Sequence, residues 1–306
     1  GHAVQTITGK LDTPKLIAAS AGCQGLIVRS ATKVTAEFMA ARPELMVVGR
    51  AGVGVDNIDI EAASEHGVLV VNAPTGNTIA AAEHTLALML ALARNIPQAV
   101  DTLHQGRWER KRFLGVELTG KTLGVLGLGR VGSAVAQRAQ ALGMQVLAYD
   151  PYVSPDMVTV PNIKLTSFNE TVQQADFLTL HLPLTDETRG LISERALAQM
   201  KPGVRLINAA RGALVDEAAL AEALKSGQVA GAALDVLAQE PCINSPLLGL
   251  DNVIVTPHLG ASTKEAQVHV AVEAAEQVVT ALAGRRPKHC LNWEQARPEE
   301  AAASGM

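Results

Sequence analysis

The segment Thr122–Asp150, TLGVLGLGRVGSAVAQRAQALGMQVLAYD, constrains this chain more than any other stretch. A short apolar run, Thr122–Leu126, opens onto Gly127-Leu128-Gly129-Arg130-Val131-Gly132 and then onto an Ala-rich stretch of helical length, Val131–Leu142. A second apolar run, Gln145–Tyr149, ends at Asp150. Gly127 suits a tight turn, Gly129 lets backbone approach a pyrophosphate, and Gly132 lets helix and strand pack closely. The helix N-terminus offers free N–H groups and a partial positive charge for phosphates. Asp150 stands 18 residues beyond Gly132, where a carboxylate can accept from both ribose hydroxyls and would repel a 2′-phosphate. A glycine pattern alone would carry little weight. With the strand before it, the helix after it and the acid at this distance, it predicts an NAD-binding βαβ unit, with NAD favoured over NADP.

The same alternation extends along the chain. Strands are predicted at Leu45–Gly49, Val68–Val71, Phe177–His181, Val204–Asn208, Val229–Leu234 and Val253–Thr256, besides the two above. Helices are predicted at Ile79–Arg94, Glu217–Ser226 and Thr263–Ala283 as well as Val131–Leu142. Strand and helix in repeated turn imply a parallel sheet covered on both faces, an α/β fold. At 306 residues and 48% apolar, there is material for two such domains. A net charge of -4 speaks against a nucleic-acid binder that relies on a basic face. No apolar run is long enough to span a membrane. Three scattered cysteines, Cys23, Cys242 and Cys290, build neither a disulfide framework nor a zinc site, which fits a cytoplasmic setting and no metal. The opening GHAVQTITGK lacks a secretory leader pattern. The polar, Ala-rich tail from Arg285 is expected to be frayed.

Three polar residues fall just beyond predicted strand ends: Arg211 in INAARGALVDE, Glu240 in ALDVLAQEP and His258 in VIVTPHLGAST. Open parallel sheets gather ligands outside the carboxyl ends of their strands, so these loops can converge. Arg211 offers a planar fork that grips a carboxylate at two points. His258 has the pKa range to take a hydroxyl proton as hydride leaves, and Glu240 would orient it and raise that pKa. Each has an ordinary explanation taken singly: a structural histidine, an arginine on a helix end, an exposed turn. Together they form an acid–base pair and a carboxylate clamp, the equipment for hydride transfer at a 2-hydroxy acid.

With these residues in place, the sequence resembles the D-isomer-specific 2-hydroxyacid dehydrogenases from about Gly25 to about Gly284. Further motifs carrying the resemblance are GLIVRSATKVT, VVGRAGVGVDNIDIEAA, NAPTGNT, WERKRF, AGAALDV and PHLGASTKEAQ. It implies a Rossmann-type doubly wound domain, residues 73–262, inserted in a flavodoxin-like α/β substrate domain, residues 1–72 and 263–306, with a cleft between them. The family opens with a strand and helix ahead of the region matching Asp12–Ser20. Their lack here leads us to expect a loosened substrate domain and weakened turnover.

The resemblance also assigns residues. Arg211, Glu240 and His258 match its catalytic positions. Its NAD contacts fall on Val53, Arg130, Val131, Asp150, Leu182, Ala209, Ala210, Asp235, His258, Leu259, Gly260 and Ala261. The substrate carboxylate would meet Gly52, Val53 and Gly54, with Asn77 nearby. A phosphorylated substrate needs basic partners, and Arg29 and Arg50 lie in the relevant motifs; Arg110 would reach a neighbouring subunit's cleft. RSATKVT, WERKRF and HLGASTKEAQ point to oxidation of 3-phospho-D-glycerate, and the resemblance implies a homodimer or homotetramer. A glyoxylate or hydroxypyruvate reductase and an NAD-sensing corepressor-like protein remain alternatives. A formate dehydrogenase is disfavoured, having no C2 hydroxyl proton for Glu240 and His258 to handle.

Overall fold

The alternating runs fold into two α/β units in a computed structural model that describes residues 1–9 and 11–304. The first unit, Gly1–Asn77 with Thr263–Met306, begins with α1 (Thr13–Ala19), β1 (Gly25–Val28), α2 (Ala36–Ala40), β2 (Val47–Arg50), α3 (Ile60–Glu65) and β3 (Leu69–Asn72). The second, Thr78–Ser262, opens with α4 (Thr78–Ala93), α5 (Ile96–His104), β4 (Thr122–Leu126), α6 (Arg130–Ala141), β5 (Gln145–Tyr149) and β6 (Ile163–Leu165). It continues with α7 (Phe168–Gln174), β7 (Phe177–Leu180), α8 (Glu194–Gln199), β8 (Val204–Asn208), α9 (Glu217–Ser226), β9 (Val229–Leu234) and β10 (Val253–Val255). The chain then returns to the first unit through α10 (Lys264–Leu282), α11 (Trp293–Ala296) and α12 (Pro298–Ser304).

The second unit is a doubly wound sheet of seven parallel strands in the order β10-β9-β8-β7-β4-β5-β6. From β4 the chain winds outward through β5 to β6, then crosses to β7 and winds the other way. The β4–β7 pair is thus the switch point, and ligands of such sheets bind outside the carboxyl ends there. All of β7 and the last four residues of β4 are buried, because helices cover both faces. Leu123, Val125 and Phe177 pack with Met89 of α4 and Val135 of α6. Leu126, Leu178 and Leu180 pack on the other side with Val172 of α7, Leu197 of α8 and Leu220 of α9. Local signals set the boundaries of α9: the Asp216 carboxylate accepts from the Ala218 and Ala219 N–H groups, and Gly227 closes the helix at φ 80°.

The first unit carries a three-stranded parallel sheet, β1-β2-β3. Its side chains alternate between two layers. Val28, Val48 and Val70 meet Leu16, Phe38, Met39 and Ala63, while Val47, Leu69 and Val71 meet Val278, Ala281 and Trp293. Gly49 is required where α10 crosses β2, since a Cβ there would sit 2.6 Å from the Val278 Cγ2.

Two strands were not foreseen. Gly25–Val28 and Ile163–Leu165 each lie at a sheet edge; the second is three residues interrupted by Lys164, and the first, though apolar, is only four residues long. The second strand spans Val47–Arg50 rather than Leu45–Gly49, because the Leu45 N–H closes a turn onto the Arg42 carbonyl at 3.0 Å.

The tail is the main correction. From Arg285 it was expected to fray, yet its described part is tied to β3. The Leu291 N–H donates to the Val70 carbonyl at 2.9 Å, and the Asn72 N–H to the His289 carbonyl at 3.2 Å. The Asn292 side chain accepts from the Val70 N–H at 2.8 Å and donates to the Val68 carbonyl at 2.9 Å. Residues 289–292 therefore cover a strand edge whose buried backbone groups would otherwise lack partners. Trp293 is buried beside them; the final residues 305–306 lie outside the described ones. Among the described residues no helix is long and apolar enough to cross a membrane.

Candidate active site

The glycine turn leaves β4 at the switch point. Gly127 has φ 95°, and a Cβ there would lie 2.7 Å from the carbonyl carbon and oxygen of His181. A Cβ on Gly132 would collide with the Gly127 carbonyl oxygen, so α6 starts hard against the turn. Gly129 is different: nothing of the protein lies within 4 Å of the position its Cβ would take. No side chain caps α6, so its first N–H groups face this opening with their partial positive charge.

Asp150 follows β5 and reaches back to this turn. Its Oδ2 accepts from the Leu128 N–H at 2.8 Å and its Oδ1 from the Tyr152 N–H at 2.9 Å. A carboxylate has about four lone-pair sites, so acceptor capacity remains for hydroxyl groups. An open approach at Gly129, an uncapped helix N-terminus and an acid at the next strand end together fit a dinucleotide. Arg130 is exposed at this end, Val131 is partly buried, and Leu182 is buried in the core. Burial pushes the His181 imidazole down to about 4, which keeps it neutral behind the turn, where its Nε2 lies 3.0 Å from the Thr179 hydroxyl.

The three polar residues predicted at strand ends come together in this unit. His258 Nδ1 and Glu240 Oε2 are 2.6 Å apart, and the other Glu240 oxygen accepts from the Leu237 N–H at 3.1 Å. This hydrogen bond holds the His258 imidazolium above the ordinary histidine range; partial burial opposes it, Asp235 assists, and the nearby Arg211 cation opposes. Arg211 precedes a short turn, Gly212–Leu214, and its Nη1 donates to the Ala210 carbonyl at 2.7 Å. A Cβ on Gly212 would collide with the Leu237 carbonyl group, so the arginine turn and the Glu240 loop are in direct contact.

Three side chains hold these loops: Asp235, which the resemblance already placed among the NAD contacts, and Asn208 and His84, to which the sequence gives no part in the site. Buried Asn208 donates to the Arg211 carbonyl at 2.8 Å and accepts from the Ala210 N–H at 3.0 Å, which shapes Ala209–Arg211. Asp235, only 1% exposed, sits under the His258 loop. Its Oδ1 accepts from the Thr256 hydroxyl at 2.6 Å and the Leu259 N–H at 2.7 Å, and its Oδ2 from the Gly260 N–H at 2.7 Å. His84 Nε2 lies 3.1 Å from Asp235 Oδ1. The His258 N–H donates to the Asp235 carbonyl at 2.9 Å, and the residue takes φ 57°, a left-handed conformation uncommon for histidine. Ala261 follows Gly260 on the same loop. A buried asparagine and a histidine on an apolar helix carry no functional signal in sequence. Only the loops they touch reveal them.

In the first unit, Arg29 follows β1 and Arg50 ends β2, and register pairs Val28 with Arg50. The two arginines thus stand at the carboxyl ends of adjacent parallel strands. The Arg50 guanidinium lies where a Gly52 side chain would project, and Gly52 takes φ 146°. The Asn72 amide donates to the Val53 carbonyl at 2.7 Å, which fixes the Gly52–Gly54 turn. The Asn77 Oδ1 is buried without a hydrogen-bond partner. Arg110, in the second unit, is exposed on a short turn, Arg110–Phe113.

Residues 86–260 match the family model described as D-isomer specific 2-hydroxyacid dehydrogenase, NAD binding domain. The chain is 56% identical over 281 residues to a D-3-phosphoglycerate dehydrogenase of Mycobacterium bovis, covering 92% of this chain and 53% of that protein. It is 50% identical over 301 residues to one of Archaeoglobus fulgidus, covering 98% and 57%. The fold superposes on the crystal structure of the TT0316 protein from Thermus thermophilus with a TM-score of 0.85 and 39% identity, over 92% of this chain and 90% of the other. The chain spans about half the length of the curated relatives it matches.

Proposed function

This chain belongs to the D-isomer-specific 2-hydroxyacid dehydrogenases and carries their NAD-binding domain, and from that premise we propose that it oxidises 3-phospho-D-glycerate to 3-phosphohydroxypyruvate. The reaction is the entry to serine synthesis. The carrying observation is the 2.6 Å pair of His258 and Glu240, with the Arg211 turn packed against the Glu240 loop.

NAD, when bound, supplies the acceptor for the hydride that leaves C2. The Gly127–Gly132 turn, the start of α6 at Arg130 and Val131, and Asp150 are the residues suited to hold its pyrophosphate and ribose. His258 Nδ1 is engaged by Glu240, which leaves Nε2 to take the C2 hydroxyl proton while the C2–O bond becomes a carbonyl. In the reverse direction the same nitrogen returns the proton. Glu240 favours the imidazolium that forms. Arg211 grips the substrate carboxylate at two points and so fixes which face of C2 is presented. Asp235 acts on the same loop by holding Leu259 and Gly260 in place. We assign the phosphate to Arg29 and Arg50, on charge and on their place at adjacent strand ends, and the carboxylate's backbone contacts to Gly52–Gly54 with Asn77.

A homodimer or homotetramer is part of the proposal. In the second unit Ile96, Val100 and Leu103 expose one face of α5, with Trp108 82% and Leu114 90% exposed beyond it, a concentration of apolar surface typical of contact sites. A cytosolic setting is proposed on the free cysteines Cys23, Cys242 and Cys290.

The test is the formation of NADH from 3-phosphoglycerate, compared with glycerate and lactate, and its consumption with glyoxylate and hydroxypyruvate. A kcat/KM highest for 3-phosphoglycerate is expected. Preference for glyoxylate or hydroxypyruvate would overturn the substrate, and NAD binding without turnover of any of them would favour a sensor.

A further inference from the structure

The Glu240 carboxylate stands in a long irregular stretch, since residues 235–252 between β9 and β10 form neither helix nor strand. Ala238, Gln239, Glu240 and Pro241 are all exposed, so packing does little to hold the glutamate in place. What holds the stretch is a side chain from another element. Glu217, the first residue of α9, accepts from the Ala238 N–H through Oε1 at 2.6 Å and from the Ser245 hydroxyl through Oε2 at 2.6 Å. The Ser245 oxygen in turn accepts from the N–H of fully buried Leu247 at 3.3 Å, which links this clasp to the core.

We propose that Glu217 is a positioning residue for Glu240: its carboxylate fastens both sides of the loop to α9 and keeps the Glu240 carboxylate against His258. The proposal rests on the reading of Glu240 and His258 as the acid–base pair. Helix capping does not account for Glu217, because Asp216 already serves the Ala218 and Ala219 N–H groups. The attachments lie two residues before Glu240 and five after it, so they limit how far the loop can swing. Two hydrogen bonds to a charged carboxylate are stronger than neutral ones, which suits a loop with little apolar anchorage.

The test follows the His258 ring proton by NMR titration of the whole chain without substrate, assigned by the loss of its signal in His258→Ala. In Glu217→Ala the imidazole is expected to titrate lower than in the unmodified chain, moving toward Glu240→Gln. Its kcat should fall about 10- to 100-fold, as for misplacement of a catalytic group, with NAD affinity unchanged. Glu217→Gln keeps an acceptor for Ala238 and a polar partner for Ser245, and should restore the titration. A merely structural glutamate would lower thermal stability and leave His258 titrating as before. If Glu240→Gln lowers the titration and Glu217→Ala does not, the proposal is overturned while the acid–base reading stands. If Glu240→Gln leaves it unmoved, the acid–base reading fails and this inference with it. Should Glu217→Ala fail to fold, Ser245→Ala decides: a partial downward shift supports the clasp, and an unshifted titration rejects it.

Discussion

Glu240 Oε2 and His258 Nδ1 meet at 2.6 Å although 18 residues separate them in sequence. Each sits on a loop that leaves the carboxyl end of the sheet, one after β9 and one after β10. Their meeting depends on Asp235 beneath one loop and Glu217 beside the other. This pairing shapes the expected pH behaviour.

Oxidation needs neutral His258, and Glu240 raises the pH at which that form accumulates. The oxidative rate should therefore climb as pH rises through the raised value, and the reductive rate should fall. Glu240→Gln should move both limbs to lower pH. Initial rates between about pH 5 and about pH 9 measure this; superimposable profiles would show that Glu240 does not govern the proton.

Loss of the base should be costly. His258→Ala is expected to lower kcat on the order of 10²-fold or more, while NAD affinity by calorimetry changes far less. Arg211→Lys should also reduce kcat/KM, because a point charge cannot reproduce a two-point grip. Near-normal turnover in either variant would contradict the assigned role.

The two glycines of the turn should separate stability from binding. A methyl on Gly129 meets no protein atom, so Gly129→Ala should alter stability by about 0.5 kcal/mol or less. It should weaken NAD about tenfold or more, roughly 1.4 kcal/mol. Gly132→Ala drives its methyl into the Gly127 carbonyl oxygen and should destabilise by ~1–3 kcal/mol. Thermal melts with and without NAD compare the pair.

Asp150→Ala should weaken NAD and narrow the preference over NADP, because the repulsion of a 2′-phosphate is lost. Dissociation constants for both dinucleotides test this; an unaltered ratio would remove Asp150 from cofactor choice.

Asn292→Ala should destabilise the first unit by ~1–3 kcal/mol, since the Val70 N–H and Val68 carbonyl lose buried partners. Denaturant unfolding measures the loss, and NAD binding, which is assigned mainly to the second unit, reports whether that unit is spared.

The sequence alone determined the doubly wound sheet, the glycine turn, Asp150 beside it, and that Arg211, Glu240 and His258 follow strand ends. These are local properties: burial on both faces leaves an apolar run, a tight turn demands glycine, and a strand end exposes the next polar residue. The two missed strands are short edge strands, Gly25–Val28 of four residues and Ile163–Leu165 of three with Lys164 at its centre, too brief to stand out as buried runs. Tertiary structure alone decided that the tail lies along β3, that Asp235 is buried under the His258 loop, and that Glu217 reaches across to the Glu240 loop. In each case a polar side chain satisfies backbone groups of a segment far away in sequence. Such pairing leaves no periodicity for a linear reading to detect, because its partners are chosen by where the chain returns in space.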